Sequence, residues 1–130
     1  MRPRDPKGAD VQYMILIYTD PAARSGAMSA EEGRALRGEY IAYGDSLREA
    51  GVYVDAAPLE GADAATTVRV RDGQRLISDG PFAETREVLG GYYIIDCDSL
   101  DVALDHAARC PGARLGSVEV RPVMAMPART

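Results

Sequence analysis

Residues 11–19 read VQYMILIYT. Side chains alternate across a strand, so Val11, Tyr13, Ile15 and Ile17 share one side while Met14, Leu16 and Tyr18 share the other. Both sides are apolar, and such a strand needs cover on both. GGYYIIDCD at 90–98 repeats the pattern. What lies between and after these two strands decides where the cover comes from.

SAEE at 29–32 is a capping box, in which the Ser29 hydroxyl accepts the N3 amide proton and Glu32 reaches back to the cap. In the helix that follows, Leu36, Tyr40, Tyr43, Leu47 and Ala50 recur at intervals of four and three, which places them on one face, and Gly51 supplies a left-handed stop. VYVDA at 52–56 reads as a short strand. TTVRVRDGQRLISD at 66–79 reads as a hairpin, because Asp72-Gly73 suits a type I′ turn between β-branched runs. Centring the turn there pairs Val70 with Arg75, Val68 with Ile77 and Thr66 with Asp79. SLDVALDHAARCPG at 99–112 reads as a second helix with Leu100, Ala103, Leu104, Ala107 and Ala108 on its apolar stripe, ended by Pro111 and Gly112. His106, the only histidine, falls off that stripe and is expected on the surface. SVEVRPV at 117–123 closes the domain as a strand.

This order suits an α+β fold, a ferredoxin-like sandwich with an antiparallel sheet and two helices on one face. Two helices cover one face only. The other is expected to be covered by a second copy of the chain, as a homodimer.

With 130 residues the chain is long enough for one domain. Its expected extent is 11–124, after a charged, proline-containing leader at 1–10 and before a tail at 125–130. Net charge is −5 and the basic residues are dispersed, which lacks the basic footprint of a nucleic-acid binder. VQYMILIY is far shorter than the roughly 20 residues of a spanning helix, and no signal peptide is recognisable; a cytoplasmic location without membrane partners is expected. Cys97 and Cys110 have neither metal-knuckle nor redox spacing and read as reduced packing residues. One histidine and two cysteines cannot supply four structural zinc ligands, and no metal or cofactor is expected.

SDGPFAETREVLGGYYIIDCDSLDVALDHAARCPGARLGSVEVRP, supported by YMILIYTDP in the first strand, resembles the signature half of the YCII-related, DGPF-domain family. The resemblance implies a dimeric α+β barrel in which two ferredoxin-like sheets pack face to face around a cleft. It also implies a functional link to an extracytoplasmic-function sigma factor. Some YCII-related proteins look like enzymes with a His-Asp pair, the histidine on the first helix and the acid near its end. Alignment on Gly51 puts Tyr40 and Glu49 at those places, so that dyad does not carry over. Many DGPF-type sequences also read RHG where this chain has Arg114, Leu115 and Gly116.

The candidate site residues follow from the expected cleft. Asp79 opens an Asp-Gly-Pro corner that turn chemistry explains by itself, and its carboxylate is also a candidate acid, base or ligand acceptor. Phe82 is a core or dimer anchor. If Val118 and Val120 meet the helices, Glu119 and Arg121 enter the cleft, either to hold a polar ligand or as a structural ion pair. Tyr18, Tyr40, Tyr43, Tyr92 and Tyr93 supply phenols near the same sheet; each reads by default as a packing residue with a tethered hydroxyl, and Tyr40, Tyr43 and Tyr92 are the candidates to line a pocket. Gly90-Gly91 suggests close backbone approach and matches no nucleotide-loop spacing. No histidine is placed to activate a nucleophile. Two readings therefore stand: a homodimer binding a small organic ligand between its sheets, as an accessory or regulatory protein, or a cofactor-free lyase or dehydrochlorinase-like enzyme using Asp79 and a tyrosine. A purely structural interaction module is a third.

Overall fold

The computed structural model describes residues 11–21 and 29–125; the expected leader at 1–10 and most of the expected tail lie outside them. Strands β1 (Val11–Thr19), β2 (Tyr53–Pro58), β5 (Val88–Cys97) and β6 (Ser117–Pro122) form one antiparallel sheet in the order β2-β5-β1-β6. Helices α1 (Ala30–Glu49) and α2 (Leu100–Ala108) complete the ferredoxin-like arrangement expected from the element order. Strands β3 (Thr66–Arg71) and β4 (Gln74–Asp79), inserted between β2 and β5, form a separate two-stranded sheet.

β1 is central and alternates as its sequence requires. Tyr13, Ile15, Ile17 and Thr19 are buried under the helices, with Ile95 and Cys97 of β5 alongside, and Ile15 and Ile95 are 0 % exposed. Gln12, Met14, Leu16 and Tyr18 point to the opposite face and are only half-buried. Register places Leu16 between Tyr92 and Glu119, and Met14 between Ile94 and Arg121, on that open face.

α1 starts at the expected box: the Glu32 amide donates to Ser29 Oγ over 3.0 Å and the Ser29 amide to Glu32 Oε1 over 2.8 Å. It stops at Gly51, whose φ of 75° is left-handed. Leu36, Tyr43 and Leu47 are buried as the stripe predicts, while Ala50 is exposed. The Tyr43 hydroxyl donates to the His106 carbonyl over 2.7 Å, and its ring meets Tyr93 edge-on with centroids 5.1 Å apart.

The second helix corrects the sequence reading. Its buried face is Ala103, His106 and Ala107, while Leu100, Leu104 and Ala108 are exposed. His106 is 8 % exposed, not a surface residue. Small Ala103 and Ala107 let the backbone sit close to the sheet, which draws the adjoining His106 into the interface. Its Nδ1 lies 2.6 Å from Nη2 of Arg109, and burial, then the Arg109 charge, pushes the imidazole below its ordinary 6.5.

Pro111 begins a helix as well as ending one. Its missing amide hydrogen suits the first helical position, and α3 (Pro111–Leu115) returns the chain to β6. Two glycines bring that connection against β1. A Cβ on Gly112 would lie 2.5 Å from Ile17 Cγ2, and one on Gly116 would lie 2.2 Å from the Tyr18 carbonyl oxygen. Neither cysteine is in a disulfide and both are buried, as expected of packing residues.

Candidate functional site

The two halves of α1 meet the sheet differently. Its second half packs down through Tyr43 and Leu47. Its first half runs over small residues: Ala56, Ala57, Gly90 and Gly91 on the sheet, and Gly61 and Ala62 beyond β2. Between them lies a cavity of about 830 Å³. Gly33, Leu36, Arg37 and Tyr40, which share one helical stripe, form its roof; Ile17, Thr19 and Tyr93 belong to the floor, and Glu60 to the wall.

Glycine chemistry shapes the floor. A Cβ on Gly91 would lie 3.0 Å from the Ala57 carbonyl oxygen and 3.3 Å from Pro58 Cα, so β2 approaches β5 only because this position has no side chain. The expected close backbone approach is therefore found at Gly91. Gly90 differs: a Cβ there meets nothing nearer than 3.9 Å. The Leu59 amide donates to the Gly90 carbonyl over 2.9 Å and ties the wall to the floor.

Polar groups in the lining include the Thr19 and Ser29 hydroxyls, the Tyr40 and Tyr93 phenols, Arg37 and Glu60. Burial, then the neighbouring Cys110, Tyr40 and Tyr53, pushes the Tyr93 phenol up to about 12, so it remains a neutral hydrogen-bond donor at physiological pH. No imidazole is in the lining, since His106 is held beneath α2. The described residues contain no group of three or more His, Cys, Asp or Glu side chains arranged to hold a metal ion.

The sequence-predicted residues divide among four places. Tyr40 borders the cavity; Tyr92 is at its edge, with its register opposite Leu16 putting the side chain on the open face. Tyr43 is in the core, bonded to the His106 carbonyl, with its phenol pushed up by burial. Glu119 and Arg121 form an ion pair at 2.7 Å within β6, on the open face, and the Tyr18 hydroxyl donates to Glu119 over 3.3 Å. That hydrogen bond from Arg121, helped by its charge, holds the Glu119 carboxyl below its usual range. Asp79 is exposed at the end of β4, opposite Thr66 as the hairpin register requires, and Phe82 is 77 % exposed in the loop beyond. Neither lines the cavity.

Thr19, Arg37, Glu60 and Gly90 were not marked by the sequence as a group. They come from β1, α1, the β2 exit and β5, and no motif spacing links them. The accessible signal was the coincidence of small residues at 56–57, 61–62 and 90–91 with Gly33 in α1.

Residues 11–127 match the family model described as the YCII-related domain. A protein of Rhizobium meliloti (strain 1021), described as uncharacterized protein R00369, is 42% identical over 113 residues, covering 85% of this chain and 90% of the relative. With the sheet order and the match both spanning the fold, the chain belongs to the YCII-related family.

Proposed function

We propose that this protein is a homodimeric small-molecule-binding protein whose ligand occupies the cavity between α1 and the sheet. The observation that carries the proposal is the cavity: about 830 Å³ lies in the range of sites for organic ligands, roughly 300–1,000 Å³. An apolar floor with a few phenol and hydroxyl donors suits a molecule with an apolar body and one or two acceptor groups. The homodimer is supported by the half-buried Met14, Leu16, Tyr92 and Ile94 on the open face, which one subunit leaves without helix cover. Binding is favoured over turnover because the lining has no imidazole. Asp79, the acid of the enzymatic alternative, stands outside the cavity and in solvent. An accessory role beside an extracytoplasmic-function sigma factor is the regulatory setting this reading adopts.

A thermal-shift screen of small organic metabolites tests the site. A ligand at a hundred times its Kd stabilises the native state by about 2.7 kcal/mol. Gly90→Leu adds a side chain where the backbone leaves room and is expected to abolish the shift while the protein remains folded. A shift that survives Gly90→Leu and disappears on Arg121→Ala would move the ligand to the open face.

A further inference from the structure

The β3–β4 hairpin leaves most of its apolar surface in water. Val68, Val70 and Ile77 share one of its faces, Leu76 sits on the other with Arg69 and Arg71, and all four apolar residues named are exposed. A two-stranded hairpin standing alone is at best marginally stable, and an apolar face of this kind marks an interaction surface. Its base is nevertheless well fixed. The Gly80 amide donates to the Ala65 carbonyl and the Thr67 hydroxyl to the Gly80 carbonyl, each over 2.7 Å, while Arg69 reaches the Phe82 carbonyl at 3.4 Å. On this fixed base stands a hairpin of six-residue strands, about 20 Å long, in a sheet of its own, with Phe82 exposed just beyond it.

We propose that this hairpin is an arm that grips a second copy of the chain, laying its Val68/Val70/Ile77 face on the rim of that copy's open sheet face. The choice of occupant rests on charge. The arm carries Arg69, Arg71 and Arg75 against Asp72 and Asp79, so it is net positive on a chain whose net charge is −5. It is therefore attracted to the acidic body of another copy. Arg75 lies opposite Val70 on the apolar face of the arm. Asp55, exposed at the β2 edge and in register with Ile94 of the open face, is the acid such an arginine would meet. The arm rests on the homodimer reading above and adds the element that makes the contact reciprocal.

Sedimentation of the full chain and of the Val68→Asp/Ile77→Asp variant separates the two ideas. The wild type is expected to be dimeric at micromolar concentration, and the variant to dissociate about a hundredfold more easily, since each aspartate would have to be desolvated in the contact. A monomeric wild type overturns both the homodimer and the arm. A dimeric wild type with an equally tight variant overturns the arm alone. Should the variant unfold, amide exchange of the wild type decides: protection at residues 68–70 and 76–78 is expected to rise with the dimer fraction. Exchange that ignores concentration overturns the arm and leaves this surface to a different partner.

Discussion

The central sheet and the β3–β4 hairpin use the same residue types to opposite ends. Ile15 and Val68 are both β-branched residues at alternating positions of antiparallel strands, yet Ile15 is 0 % exposed and Val68 is 58 % exposed. β propensity and turn chemistry form both elements; helices then cover one and leave the other in solvent. Stability within a subunit therefore resides in the body, while the hairpin's apolar side chains stay in solvent.

The strongest break of this contrast is in the body. Gly116→Ala would place a methyl group 2.2 Å from the Tyr18 carbonyl oxygen and 3.1 Å from Thr19 Cα, both backbone atoms. Its φ of −157° is not left-handed, and the clash with these backbone atoms sets the cost. A loss of about 3 kcal/mol or more is expected in chemical denaturation, and wild-type stability would show that α3 sits farther from β1.

Paired truncations sharpen the contrast directly. Leu47→Ala empties a fully buried position and is expected to cost about 2–5 kcal/mol. Ile77→Ala on the exposed arm is expected to cost under about 0.5 kcal/mol when measured on the monomer. Equal losses in the two variants would mean that the hairpin shares the body's core.

A smaller effect is set by pH. His106 is buried with its pKa lowered from 6.5, by burial first and the Arg109 charge second, against a raising influence of Asp105. The unfolded chain therefore binds a proton more readily than the folded one. Above about 6.5 neither state is protonated and the native state bears no cost. As pH falls below that value toward the lowered folded pKa, stability is expected to drop. His106→Gln should flatten this part of the denaturation profile, and an unchanged pH slope would contradict it.

Asp79→Asn is expected to have the least effect. Asparagine retains an acceptor for a turn amide, so the loss should stay under about 1 kcal/mol, and ligand binding should be unaltered because Asp79 is outside the cavity. A large fall in affinity with the fold intact would restore Asp79 as a functional carboxylate.

Elements with local signals were the legible part of the fold. Asp72 and Gly73 both adopt positive φ, at 52° and 75°, and the register Val68↔Ile77 follows from that turn. The Ser29/Glu32 box and Gly51 likewise bound α1 through contacts spanning a few residues. α2 was misread because leucines dominate a periodicity count, whereas the close approach of its helix depends on Ala103 and Ala107, whose small size carries little hydrophobic weight. The cavity was not legible for a different reason: small or missing side chains at Ala56, Gly90 and Gly33 become a volume only when β2, β5 and α1 are brought together. Tyr40 was marked, but as a residue of the inter-sheet cleft; its place is beside the helix-covered face.

Backbone chemical-shift mapping with the most strongly stabilising molecule from the metabolite screen tests the proposed site most directly. Titration is expected to move the amides of Gly33, Tyr40, Gly90 and Gly91 around the cavity, leaving those of Glu119 and Arg121, whose side chains lie on the open face, in place. Saturable shifts at Glu119 and Arg121 with Gly33 and Gly90 unmoved would contradict a ligand site beneath α1.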